Sequence, residues 1–398
     1  MSRSVFKVVA EPHPDRASRV EELKRLGFSW ADIGEELYWL DQAVAMERSA
    51  YEELMNASAS LWSVFDRAVR YLHGNRGFYP LIGIPPVLWD MIDGEPLPDE
   101  PLISRYARFD FAIDEEGSIK LLELNADTPT GYVEASIATP WVCAQTGLST
   151  PNGEMASLVA AAWGEEQPDT AACVAYGEHL EDSGTIEAMV KHSGLDIHCR
   201  DCLELYVDDG QLMDGEGRNI RRMFALYPKE WMAVDDGGDA LAYAIETGQL
   251  KLFNPPASIL LQSKGLLAVV WGLYELGQLF TEQERETIER YMLPTYNRPV
   301  FEGDFVSKSM FGREGGSVRL FGPAGELELE DRDGYDTSVM FPSVYQKRAQ
   351  LARIETSEGE LHLLTGVFVI NGKPCGLLGR AGGPITGNAS QFIAIGVK

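Results

Sequence analysis

Glu123 and Asn125 stand two residues apart in the stretch LLELNADTPT, which runs from Leu121 to Thr130. Side chains of a strand alternate, so both project from one face. A carboxylate and an amide oxygen are hard ligands of the kind Mg²⁺ takes beside substrate phosphates. Upstream, Tyr106, Arg108 and Asp110 share one strand face, while Ala107, Phe109, Phe111 and Ile113 share the other. Asp114-Glu115-Glu116-Gly117 between the runs is a turn signal. A hairpin would bring Asp110 to within about two positions of Glu123. Taken singly, each acid reads as the solvated face of a half-exposed strand. Together, two carboxylates, an amide and an arginine crowd one apolar ribbon, and the acids would repel without a cation. That favours a metal or phosphate site.

A second constellation is Lys308-Ser309-Met310-Phe311-Gly312-Arg313-Glu314-Gly315-Gly316. A lysine at a strand end precedes a loop in which Gly312, Gly315 and Gly316 let backbone N–H groups approach phosphate oxygens. Arg313 could fold over a phosphoryl group and neutralise developing charge. A flexible turn with incidental charges accounts for the loop equally well. Lys264 opens an apolar helix, where it is also an ordinary helix-end charge. Tyr345 and Gln346 end an apolar strand that could border an adenine, and Arg380 lies in a glycine-rich segment, Gly379–Asn388. Glu181 and Asp182 open a helix, and their interaction with its dipole is explanation enough. The chain has no G-x-x-x-x-G-K-[ST], no G-x-G-x-x-G after a strand and no G-x-S-x-G, and its six histidines are dispersed. His198-Cys199-Arg200-Asp201-Cys202 has the spacing of half a zinc site without the other half.

Bulk properties bound the partners. A net charge of −27 over 398 residues argues against nucleic acid and anionic membrane. It does not forbid ATP, because a local basic cluster with Mg²⁺ reverses the sign inside one cleft. No stretch approaches the length of a membrane span, and the N-terminus lacks a sustained apolar core of a signal peptide. With five scattered cysteines, a reducing cytoplasm is the expected location. No obligate protein partner is evident, and small molecules are the expected ones.

Several elements must position these residues. From Asp15 to His73 the pattern reads as helix, with Leu37, Leu40, Val44, Tyr51, Leu54, Leu61, Phe65, Val69 and Leu72 at steps of three, four or seven. Residues 77–101 form a Pro- and Gly-rich connector, and Tyr132–Ala144 reads as a short helix. Ala171–Tyr176, a helix to His192 and Asp196–Cys199 make a strand–helix–strand unit, the signature of a small Rossmann-like lobe. Leu260–Phe280 reads as one helix, and Asn371-Gly372 joins two strands. The expected division is 1–165 as helical region plus metal hairpin, 166–250 as substrate lobe, and 251–398 as nucleotide-binding lobes with a glycine lid.

These pieces resemble the glutathionylspermidine synthase family of ATP-grasp ligases. The matching motifs are RFD at Arg108–Asp110, ELNADTPT at Glu123–Thr130, the Glu181-Asp182 pair, SKG at Ser263–Gly265, KSMFGREGG at Lys308–Gly316, Tyr345-Gln346 and ITGNASQF at Ile385–Phe392. The resemblance implies a mixed α+β and α/β, circularly permuted ATP-grasp fold, since Glu123 precedes Lys264 and Lys308. It implies that Asp110, Glu123 and Asn125 hold Mg²⁺ at the ATP phosphates. Lys264, Lys308, Gly312, Gly315, Gly316, Tyr345, Gln346 and Arg380 would contact the nucleotide, and Arg108 and Arg313 would stabilise the transferring group. Thr128, Thr130, Glu181 and Asp182 would face the acid or amine substrate. The expected activity is an ATP- and Mg²⁺-dependent joining of a carboxylate, such as a glutathione-like peptide, to a polyamine or amino acid through an acyl phosphate. A silent ATP-binding protein or a small-carboxylate kinase are the rivals. The chain has no room for the amidase domain of bifunctional members, and Ser309 stands where many relatives carry proline.

Overall fold

The computed structural model describes residues 4–9, 15–34, 36–164, 170–332, 334 and 337–398. The expected boundary at 165 and 166 lies outside them. The frame is an eight-stranded sheet. Phe6–Val9, Trp39–Met46, Gln391–Val397, Lys373–Gly382, Gly359–Ile370, Tyr106–Ile113 and Ile119–Asn125 lie side by side in that order, and Arg353–Thr356 pairs with the start of Gly359–Ile370. All neighbours are antiparallel except Trp39–Met46 and Gln391–Val397, which run parallel. Strands from both ends of the chain therefore share one sheet.

The reading of Asp15–His73 as helix holds only in part. Helices form over Arg16–Leu26 and Arg48–Leu72, but Trp39–Met46 between them is a strand with every residue buried. Leu40 and Val44 sit four apart, a step that keeps one face in a helix and in a strand alike. A strand covered on both faces lacks the alternation that would separate the two readings.

The Arg48–Leu72 helix covers one face of the sheet. Its Trp62 and Phe65 rings stand 6.1 and 5.8 Å from the Phe109 ring, in edge-on contacts. Phe109 alternates with Arg108 and Asp110, so this packing turns the charged pair to the opposite face. Gly366 lies beside Asp110 in the next strand. A Cβ there would meet Arg108 Cδ at 2.9 Å and Asp110 Oδ1 at 3.1 Å, so the pair needs glycine beneath it.

A second, five-stranded antiparallel sheet runs in the order Thr295–Tyr296, Ser343–Lys347, Phe305–Ser309, Arg319–Phe321 and Leu327–Glu330. A third sheet is parallel, in the order His198–Asp201, Ala171–Ala175, Arg222–Ala225 and Lys251–Leu252. The helix Leu180–Ser193 makes its first crossover. The expected turn at Asn371-Gly372 forms with φ of 50° and 75°, the backbone of a two-residue hairpin loop. The apolar stretch from Leu260 differs from the single helix expected. It breaks at Ser263-Lys264 into Ser258–Gln262 and Gly265–Glu275. Ser263 Oγ donates to Ile82 O and Lys264 N to Met310 O, and these bonds replace helical ones.

Candidate active site

The main sheet and the five-stranded sheet face each other across an open cleft. Glu123 and Leu364 come from the first sheet, and Lys308 and Gln346 from the second. Lys264 enters from the helix break, and Gly312, Glu314, Gly315 and Gly316 of the glycine-rich loop complete the lining. Residues far apart in sequence thus meet around one cleft.

The hairpin places Asp110 opposite Glu123 and Arg108 opposite Asn125. Arg108 grips Asp110 through Nε at 2.6 Å and Nη2 at 2.8 Å, and its Nη1 donates to Thr130 O. Asn125 Nδ2 donates to Asp110 Oδ2 at 3.0 Å and to Glu123 Oε1 at 3.2 Å. Lys264 Nζ is 3.2 Å from Glu123 Oε2 and donates to Gly312 O at 2.6 Å, tying the glycine-rich loop to the hairpin. Lys308 Nζ donates to Leu122 O and to Gln346 Oε1 at 3.1 and 2.9 Å.

The charges respond to one another. Burial pulls the Glu123 carboxyl up, but Lys264 and Lys308 outweigh it and hold the group at about 2. Burial pushes Asp110 above the usual carboxylate range in spite of Arg108. Burial also lowers Lys308, to about 8, against the pull of Glu123. Lys264, Lys308, Lys347 and Arg348 line the cleft against Glu123 and Glu314, with the Arg108–Asp110 pair outside that lining, so the cleft inside this acidic protein favours an anion.

Among the described residues, no group of three or more His, Cys, Asp or Glu side chains converges as a metal cluster. Asp110 and Glu123 with an amide are a leaner set, and it suits Mg²⁺, which keeps waters and binds one or two carboxylates plus substrate phosphates. The Asn125 amide turns its N–H groups to both carboxylates; a half-turn about χ2 presents its oxygen instead. The residues present fit the ion.

Other expected residues lie elsewhere. Tyr345 alternates with Gln346, so its ring is on the far side of the sheet, 6.2 Å from that of Phe305. Arg380 donates from Nη2 to Gly387 O and Ser390 O, bracing that glycine-rich turn, and stacks over Tyr38 at 5.9 Å. Arg313 does not reach over the cleft freely. It donates to Glu230 Oε1 from Nη2 at 2.8 Å and from Nε at 3.2 Å, and to Thr128 Oγ1 from Nη1. Glu181 and Asp182 start the Leu180–Ser193 helix. Burial and Glu134 push Glu181 up to about 8, and burial takes Asp182 to about 6.

Sequence reasoning missed the residues beneath the motif. Asn254 and Gln262 brace its backbone: Asn254 Nδ2 donates to Asp127 O at 2.8 Å, and Gln262 Oε1 accepts from Ala126 N at 2.8 Å. Lys229 pairs with Asp127 in a buried ion pair, and Glu230 receives Arg313. Glu134 is fully buried, accepting from Trp30 Nε1 and Tyr38 OH, both at 2.9 Å. Only Asp127 carried a signal, as the second polar residue of the NADTPT stretch.

Two sheets meet at a cleft lined by lysines, an acidic side chain and a glycine-rich loop, a class of site suited to an anionic ligand. The chain belongs to the family described as "Glutathionylspermidine synthase preATP-grasp", whose sequence pattern matches residues 10–398. It is similar to a Haemophilus influenzae (strain ATCC 51907 / DSM 11121 / KW20 / Rd) protein named "Putative acid--amine ligase", with 24% identity over 414 residues, covering 96% of this chain and 97% of that one. Among the described residues, no helix is long and apolar enough to cross a membrane.

Proposed function

We propose that this protein is an ATP- and Mg²⁺-dependent ligase that joins a carboxylate to an amine. One observation carries the reading: Glu123, Lys264, Lys308 and the glycine lid line one cleft, although they come from separate segments of the chain. Family membership and the name of the similar protein point the same way. Bound Mg-ATP would supply the phosphoryl group that activates the acid as an acyl phosphate, which the amine then attacks with loss of phosphate.

The chain's own residues have positioning and electrostatic work to do, with no nucleophile required of them. Asp110, Glu123 and Asn125 hold the metal. Lys264 and Lys308 neutralise the nucleotide phosphates, and Gln346 borders the base, with Tyr345 contributing backbone only. Arg108 and Arg313 balance charge on the transferring group, Arg380 shapes the turn behind them, and Gly312–Gly316 excludes water. Thr128 and Thr130 face the acid. Glu181 and Asp182 face the cationic amine, whose proton must be lost before attack. The acid is taken to be peptide-like and the amine a polyamine or amino acid.

The order of parts is read as a circularly permuted ATP-grasp fold, and 166–250 as a Rossmann-like substrate lobe, whose parallel sheet also takes in Lys251–Leu252, between the metal hairpin region, 1–165, and the nucleotide lobes, 251–398. A cytoplasmic location supplies the ATP. The deciding experiment measures phosphate release from Mg-ATP over a panel of peptides crossed with polyamines and amino acids, with product masses recorded. A release that needs both partners and yields an amide mass supports the ligase. Turnover without amide would overturn it in favour of a carboxylate kinase.

A further inference from the structure

Glu230 has none of its surface exposed, yet it carries a charge partner from the lid. It lies in the single turn Lys229–Ala233 that follows the third strand of the parallel sheet. Its Oε1 accepts both bonds from Arg313, while Oε2 has no hydrogen-bond partner among the described residues. Its neighbour Lys229 donates from its backbone N to Asp127 Oδ2 at 3.0 Å, forms a buried ion pair through Nζ with Asp127 Oδ1, and donates to Ser258 Oγ at 3.1 Å. Two adjacent residues of one turn therefore grip Asp127 and Thr128 of the hairpin motif, the first directly and the second through the lid arginine.

A sequestered carboxylate with one cationic neighbour holds that neighbour firmly, because releasing it would strand a charge away from water. Burial works against the charge on Arg313, but Glu230 and then Asp127 overcome it and raise the group above its ordinary value. A guanidinium has five N–H donors; three are engaged by Glu230 and Thr128, which leaves two without a partner among the described residues. The lid backbone is anchored separately, through Lys264 Nζ to Gly312 O.

We infer that Glu230 is a positioning residue. It latches the Gly312–Gly316 lid over the cleft through Arg313 and aims the two remaining guanidinium donors, so that lid closure and docking of the parallel-sheet lobe occur as one event. The effect on turnover rests on the ligase reading; the effect on the lid does not.

The test is amide hydrogen exchange, read by mass spectrometry on full-length protein without nucleotide, for wild type, Glu230→Gln, Glu230→Asp and Arg313→Gln. Glu230→Gln should speed exchange in Met310–Ser317 by about tenfold or more, from loss of a charge-assisted contact, with Ile119–Asn125 unchanged. Glu230→Asp, which keeps the charge, should restore most of the protection. Lid exchange within about twofold of wild type in Glu230→Gln would overturn the inference. Where Glu230→Gln raises exchange throughout the chain, Arg313→Gln tests the same contact from its half-buried end: a faster lid supports the latch, an unchanged lid refutes it. The double variant should open the lid no further than either single change, and additive opening refutes the coupling. In ATP turnover, Glu230→Gln should lower kcat about tenfold while the KM for ATP moves less than about threefold. A failed turnover assay beside an opened lid counts against the ligase reading alone.

Discussion

At the scale of single residues, the cleft works by placing groups whose charges are mutually dependent. Glu123 is held at about 2 by the two lysines. Its folded value is depressed, so its contribution to stability is present above its unfolded value and is lost as pH falls toward about 2. Glu123→Gln removes the proposed metal ligand and leaves Lys264 and Lys308 without their counter-charge. Mg²⁺-dependent ATP turnover should fall by at least about a hundredfold with an unchanged near-ultraviolet circular dichroism spectrum. Near-normal turnover in that variant would sink the metal assignment. Lys308, lowered to about 8, gives a second prediction. In the folded protein Lys308 gives up its charge as pH rises through about 8. Nucleotide affinity should therefore weaken as pH rises through about 8, and Lys308→Arg, whose guanidinium stays charged, should flatten the profile. Calorimetric titration with ATP across that range checks both; a flat wild-type profile would contradict it.

At the scale of elements, close packing sets which groups meet. Gly184, on the Leu180–Ser193 helix, would place a Cβ at 2.3 Å from the Trp30 ring. Glu181 sits three residues earlier, on the same helix face, and that contact presses it toward Glu134, which Trp30 also holds. Gly184→Ala should push the helix off, cost about 1–3 kcal/mol in chemical unfolding and return Glu181 toward the ordinary carboxylate range. With Glu181 near 8 and Asp182 near 6, a polyamine should bind more tightly as pH rises from 6 to 8, while both carboxylates lose their protons. Affinity that falls over that range would place the amine elsewhere. The element reading from sequence succeeded where polarity alternates or a turn residue speaks: the Asp110–Glu123 hairpin and the Asn371-Gly372 turn were both legible. It failed at Trp39–Met46, because a strand buried on both sides leaves no periodic trace.

At the scale of the whole molecule, the sheet is closed by the last strand. Gln391–Val397 bridges the N-terminal strands and the rest, pairing parallel with Trp39–Met46 and antiparallel with Lys373–Gly382. Deleting residues 391–398 should leave a chain that does not fold, since two sheet edges and a buried strand would lose their partners. A soluble truncated protein with native circular dichroism would contradict this. The net charge of −27 also makes the compact state repel itself. Raising salt from about 0.05 to 0.3 M should raise the melting temperature of the ligand-free protein, because screening acts over about a Debye length.

What the sequence determined by itself is the local chemistry. The acids, lysines and glycines of the cleft announce themselves by type and by spacing within one strand or loop, where alternation alone decides which side chains share a face. Gln346 is in the cleft and Tyr345 is not, and that follows from the same alternation once the sheet's inner face is known. Only the tertiary structure decided that Lys264, Lys308 and Glu123 surround one volume, that Arg313 is held by Glu230, and that Asn254 and Gln262 brace the motif. Those partners are separated by long stretches of chain, and a buried polar contact is satisfied by whichever group the fold delivers. No local pattern encodes that choice, because it is made by the packing of whole elements.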